Sequence, residues 1–292
     1  MNEIVAGRPA PERVRRGRSL GRAARRNPEL FAGAGIILAW IVIAIFSPLI
    51  APHSPTSTNF PSLKGPGGAN IFGTDQLGHD VFSEVLYASR VDLYLAVSGT
   101  LIGLVLGVLI AVPVGYTRRW WGDGVMRLFD GFQAFPVLIL ALALVQALGQ
   151  GPSTIIAALA IINVPVFVRV VRSQVVSLRE QRFVEAAIAT GNPTRRILFR
   201  HILPNTTGPV LAQCTISIAY AVLVVAGLSF LSLGIKPPTP EWGAMIANGY
   251  GSLTTGQWWI ATFPGLAVIT VVLGFHLLGD GLQRAFVIQR RR

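Results

Sequence analysis

Six apolar blocks, most of them twenty residues or longer, dominate this chain, and they fix what it can become. They run over about 31–50, 91–116, 124–148, 153–171, 208–233 and 259–278. A helix that packs on a soluble core keeps a polar face, and these blocks mostly lack one. About twenty apolar residues cross the roughly 30 Å hydrocarbon layer of a bilayer as a helix. The blocks therefore predict an all-α protein with six transmembrane helices. Only 13% of the residues are charged, where a soluble domain carries about 25%.

The net charge of +12 raises the question of nucleic acid. The positions of the basic residues answer it. Of the 25 Lys and Arg, eight Arg lie before the first block, two between the second and third with Arg127 just inside the third, six between the fourth and fifth with Arg169 just inside the fourth, and four at the C-terminal end. Those 22 fall on one side of a six-span topology, against Lys64, Arg90 and Lys236 on the other. Cytoplasmic segments carry the excess of Lys and Arg, so both termini are predicted to be cytoplasmic. No basic patch is interleaved with exposed aromatics as a nucleic-acid surface would be. The single cysteine, Cys214, lies inside an apolar block and reads as a small buried hydrophobe.

The predicted organisation is an Arg-rich tail over 1–30, a first span over 31–50, an extracytoplasmic loop over 51–90, a transmembrane core over 91–285 and a basic tail over 286–292. The first block is longer than the apolar core of a signal peptide and has no small-x-small cleavage site after it, so it reads as an uncleaved span. The loop is punctuated by Pro52, Pro55, Pro61, Pro66, Gly65, Gly67 and Gly68. Its end, 75–90, reads as a short amphipathic helix at the membrane surface. Gly149-Gln150-Gly151-Pro152 predicts a tight turn between spans three and four. Trp120, Trp121, Trp258 and Trp259 stand at block ends, where an aromatic belt belongs.

A six-span chain that moved a solute across the membrane would need an energy source. A phosphate loop requires Gly-Lys followed by Ser or Thr, but Lys64 precedes Gly65 and Lys236 precedes Pro237. Those are the only lysines, so the chain has no such loop. Ion coupling requires a titratable residue within a span. Asp130 and Asp280 are the candidates, as pathway charges or as charges that pair or cap helix ends. The four histidines, His53, His79, His201 and His276, show no metal-ligand spacing.

The remaining source is a partner, and the polar stretch 173–206 has the features of a docking element. Residues 179–190 read as a helix with Ala186, Ala187 and Ala189 clustered on it, ended by Gly191. Asn192 reads as the cap of a second helix, Pro193 as its first turn, and Pro204 as its stop. On these features alone the loop is either a docking helix-turn-helix or an ordinary basic loop.

Glu185-Ala186-Ala187, Gly191 and Leu203-Pro204 resemble the EAA loop of ATP-binding-cassette importer permeases. Four further stretches, 72–80 (FGTDQLGHD), 126–136 (MRLFDGFQAFP), 228–243 (LSFLSLGIKPPTPEWG) and 263–282, resemble the dipeptide/oligopeptide/nickel permease family. The match is to the second of the two permeases of such systems and covers about 70–285. The resemblance implies a type I importer (MetI-like) permease fold. It also implies peptide cargo and a position in the bacterial inner membrane. The implied partners are a second permease, two ATPase subunits that carry ATP and Mg, and an extracytoplasmic binding protein. This chain would hold no cofactor or metal and perform no catalysis. The family often has Arg at the position of His79, Asn at that of His276 and Glu at that of Val225. The alternative reading is a proton-coupled secondary transporter.

Overall fold

The computed structural model describes residues 27–116 and 121–290. Most of the Arg-rich tail, the Arg118-Arg119 pair and the last two arginines lie outside the described residues, and so does Trp120. Helix α1 covers Pro28–Ile50, α2 Val81–Tyr116, α3 Trp121–Gln133, α4 Val137–Leu148 and α5 Pro152–Arg179. Helices α6 (Arg182–Ala189) and α7 (Thr194–Ile197) follow, then a π turn over Leu198–Ile202. Helices α8 (Leu203–Phe230), α9 (Trp242–Tyr250) and α10 (Trp259–Arg290) complete the chain. Five helices are long and apolar enough to cross a membrane, or six if α3 and α4 together count as one bent span.

A seam of small residues joins α2 to α5. Gly99, Gly103 and Gly107 recur every four residues, which places them on one helix face. A Cβ on Gly99 would meet the Leu159 Cβ at 2.5 Å, one on Gly103 the Asn163 Cβ at 2.8 Å, and one on Gly107 the Phe167 Cβ at 2.5 Å. Lipid tails are as apolar as leucine, so spans associate through close packing of such small residues. Where α1 crosses α10, Gly33 lies against the backbone of 274–278 in the same way.

The two ends of the bundle are fastened differently. At one end, loop 51–80 is tied to α9 and α10. Trp259 donates its indole N–H to the Thr74 carbonyl at 3.0 Å, and Gln76 donates to the Asn248 carbonyl at 3.0 Å. Glu241 caps α9 by accepting from the Gly243 and Ala244 amides at 3.0 and 2.9 Å. Asp92 of α2 accepts from the Trp242 amide at 3.1 Å. At the other end Glu29 pairs with Arg284, Asp123 pairs with Arg172, and Arg179 donates to the Gly115 carbonyl at 2.9 Å. The two ends of the described chain therefore lie together.

Three expectations are corrected. No separate surface helix spans 75–90: the helix begins at Val81 and runs without a break into the second span. Asp80 starts it, accepting from the Ser83 amide and hydroxyl at 3.0 and 2.7 Å. The third block is not one straight span, since α3 and α4 meet at 91°. Pro136 lacks the N–H that a continuous helix would use there. Trp259 is buried and hydrogen-bonded, a tether between elements and not a belt residue.

Candidate functional site

The loop between α5 and α8 is a small folded unit. Val184 and Ala187 of α6 are buried, and they share an apolar cluster with Ile197 and Ile202, with Val168, Val171 and Val175 of α5, and with Ala111 of α2. Gly191 has φ +78, the left-handed conformation in which glycine has no Cβ to clash. Its amide donates to the Ile188 carbonyl at 2.9 Å, closing α6.

The outer surface of this unit is unusual for a polar loop. Glu185 and Ala186 face outward, flanked by Phe183 at 42% exposure, Ile188 at 53% and Phe199 at 68%. The three alanines do not form one face, because Ala187 turns into the molecule while Ala186 and Ala189 turn out. The apolar side chains that stand free belong to residues outside the alanine pattern, and sequence reasoning passed over them.

Two cap assignments also change. Asn192 does not cap α7. Its side chain donates back to the Ala187 carbonyl at 3.0 Å and to the Thr190 hydroxyl at 2.9 Å, so it finishes α6. Pro204 does not stop the second helix. The π turn over Leu198–Ile202 absorbs the missing N–H, and the chain continues into α8 with Leu203 and Pro204 in its first turn.

A cavity of about 400 Å³ opens where α3 breaks into α4. Gln133, Phe135 and Val137 line it from the break, Asn163 from α5, Gln213, Ser217 and Tyr220 from α8, and His276 from α10. Asn163 is 7% exposed and donates to the Leu159 carbonyl at 2.9 Å. A second cavity of about 730 Å³ lies toward the end that carries the loop, lined by Ser173, Gln174, Asn205, Thr207 and Gln283. Gln213 lines both.

Neither pathway candidate from the sequence lines these cavities. Asp130 is paired with Arg169 at 2.7 Å, and both side chains are more than half exposed. Its carboxylate is a partner for an arginine between α3 and α5. Asp280 is exposed on α10, one turn beyond His276. No Asp, Glu, Lys or Arg lines either cavity among the described residues.

At the opposite end, spacing along the chain hid a cluster. Asp75, His79 and Glu84 converge across the junction of the loop and α2, with ligand-type atoms within 4.8 Å of one another. The His79 Nδ1 is 2.9 Å from Asp75 and 3.5 Å from Glu84. A hydrogen bond to Glu84, and the charges of Asp75 and Glu84, push His79 up to about 9 against the opposing effect of burial. The imidazole is therefore held as a cation. The short contacts make the cluster an ion-pair clasp between the loop and α2.

The chain matches the family model of the binding-protein-dependent transport system inner membrane component over residues 103–292. The N-terminal TM domain of oligopeptide transport permease C matches residues 18–66. A dipeptide transport system permease of Alkalihalophilus pseudofirmus is 42% identical over 266 residues, covering 89% of this chain and 86% of that one. The chain belongs to the binding-protein-dependent transport system inner membrane component family. A glutathione transport system permease of Escherichia coli O157:H7 is 38% identical over 263 residues, again covering 89% and 86%. Among solved structures, the inward-facing MetNI methionine ABC transporter aligns with a TM-score of 0.55 at 19% identity. That alignment spans 70% of this chain and 97% of the other, and it shows the fold. This chain is thus a multi-pass inner-membrane permease component of an ABC importer, and the ATPase is a separate subunit.

Proposed function

We propose that this chain forms half of the pathway by which an ATP-driven importer carries peptides inward, with both termini in the cytoplasm. In this reading a second, similar permease supplies the other half. An extracytoplasmic binding protein delivers cargo to loops 51–80 and 231–258. Two ATPase subunits bind ATP and Mg on the cytoplasmic side, and one of them receives the unit built from α6, α7 and the π turn. Peptide cargo is supported by the dipeptide and glutathione permeases among the relatives.

The observation that carries the docking reading is the exposure of Phe183, Ile188 and Phe199 around Glu185 on an otherwise polar loop. An exposed apolar patch rimmed by polar residues marks an interaction surface. The inner side of the same unit, through Val184 and Ala187, is packed on α5. Movement imposed on the loop therefore reaches α5 and α8, the two helices that carry Asn163 and Gln213. ATP favours the closed ATPase pair, and that preference would shift the bundle between its inward-facing and outward-facing states.

Purification of the gently solubilised chain, with mass spectrometry of what accompanies it, tests this reading. An ATPase pair and a second permease are expected. Glu185→Lys should weaken retention of the ATPase while leaving the permease pair intact. Recovery of a self-sufficient homo-oligomer that still transports would overturn the proposal.

A further inference from the structure

The break between α3 and α4 interrupts two apolar helices that together are long enough for one span. Backbone that is not helical is tolerated within a bilayer only where protein covers it or where it lines a water-filled cavity. Discontinuous spans accordingly mark binding sites in other transport proteins. Here the Phe135-Pro136-Val137 bend lines the 400 Å³ cavity. Pro136 stands at the cap position of α4, and no side chain caps that helix. The first amides of α4 therefore have no partner within the helix.

Asn163 faces the same cavity from α5. One of its two amide N–H groups donates to the Leu159 carbonyl at 2.9 Å, which leaves the other N–H and the carbonyl oxygen to the cavity. The cavity thus offers the Asn163 carboxamide, a donor and an acceptor, beside the first turn of α4. A peptide unit carries one C=O and one N–H, the complementary set.

The remaining polar lining carries one side chain that can take a positive charge, His276, and otherwise only uncharged groups. Gln213 donates to Ser217 at 3.4 Å and borders both cavities, and the lower one continues with Ser173, Thr207 and Gln283. None of the described Asp, Glu, Lys or Arg side chains lines this track.

We infer that the two cavities form one cargo track that holds a peptide through its amide backbone with uncharged hydrogen-bonding groups, with Asn163 and the α3–α4 break as the upper contact and Gln213 as the passage between cavities. This inference rests on the proposed function, because the occupant is the peptide in transit. Recognition of the main chain leaves peptide side chains unread, and the lack of fixed charge leaves cationic and anionic peptides on equal terms in this half of the pathway. A cavity of a few hundred Å³ is of the size that encloses a small ligand.

The test is uptake into proteoliposomes by the whole transporter with its binding protein, using Ala-Ala, Lys-Ala and Glu-Ala as probes. Wild type, Asn163→Val and Gln213→Glu are compared. The variants must first be matched for assembly and for ATP hydrolysis stimulated by the binding protein. Asn163→Val is expected to lower uptake of all three dipeptides by about tenfold, the effect of one lost buried hydrogen bond. Gln213→Glu keeps the shape and adds a charge, so it is expected to raise the ratio of Lys-Ala to Glu-Ala uptake by about tenfold. A merely structural role would not move that ratio, and the binding protein is the same in every sample.

Unchanged uptake by Asn163→Val together with an unchanged ratio in Gln213→Glu, in a wild-type system that imports peptides, would overturn the track and leave the importer reading standing. Variants that fail to assemble are replaced by Ser217→Asp at the same level of the cavity. Its Lys-Ala to Glu-Ala ratio should rise in the same way, and an unchanged ratio would overturn the track. A wild-type complex that imports none of the three peptides overturns the peptide reading and the track with it.

Discussion

His79 illustrates how much one side chain can organise. Its imidazolium joins Asp75 in the loop to Glu84 in α2, and its folded pKa of about 9 lies above the ordinary 6.5. A raised pKa means that the folded state binds the proton more tightly than the unfolded one. The resulting stabilisation is complete below pH 6.5, fades as pH rises through the interval, and is gone above about 9. The apparent unfolding temperature in detergent should therefore fall more steeply between pH 6.5 and 9 for wild type than for His79→Arg, whose charge does not titrate there. Parallel curves would show that the clasp contributes nothing. Gly191 makes a second prediction at this scale. At φ +78 a β-branched side chain is strained, although no neighbouring atom blocks it. Gly191→Val should leave membrane insertion normal and reduce transport by an order of magnitude or more through a displaced α6. The check is uptake normalised to the amount of protein in the membrane, and wild-type uptake would show that the turn can form without glycine.

At the level of elements, the seam between α2 and α5 separates two kinds of glycine. Gly103 meets both the Asn163 Cβ and the Ala160 carbonyl, at 2.8 and 2.9 Å from an added Cβ, while Gly35 on α1 has nothing within 4 Å. Overpacking of a tight contact costs about 1–3 kcal/mol, so Gly103→Leu should lower the apparent unfolding temperature by several degrees, and Gly35→Leu should not. Thermal unfolding of both variants in the same detergent decides it. The seam itself was hidden in the sequence, because glycines spaced by four also occur on faces that meet only lipid. The spans were legible, since their hydrophobicity is a property of each block alone. The bend at Pro136 was less so: proline within a span is tolerated when neighbours satisfy the freed backbone, and only the fold reveals whether the helix kinks or breaks. Pro204 misled in the opposite direction, because the π turn over Leu198–Ile202 carries the helix past it. The left-handed Gly191 was read correctly because that preference belongs to one residue. The exposed Phe183, Ile188 and Phe199 were not read, because which residues of a short helix face outward depends on what α5 covers.

For the whole molecule, the fastening of the ends makes sidedness an all-or-none property. Loop 51–80 is bound to α9 and α10 through Trp259 and Gln76, so those segments must emerge on one side together. The α6–α7 unit, Glu29 and Arg284 must emerge together on the other. The arginines choose between the two orientations, because segments rich in Lys and Arg stay in the cytoplasm. The choice can be read with single cysteines placed in a Cys214→Ala background, since Cys214 is buried and is the only native thiol. A cysteine at Thr56 in the loop should react with a membrane-impermeant maleimide added to intact cells. A cysteine at Thr194, beside the docking surface, should react only after the membrane is opened. The reverse pattern would turn Phe183, Ile188 and Phe199 away from any cytoplasmic ATPase. Labelling at Thr56 but not at Thr194 would place the exposed apolar patch where ATP is available and the His79 clasp where cargo arrives. With the clasp outside, its titration would follow the pH of the extracytoplasmic medium, and the pH of the cytoplasm would leave it unchanged.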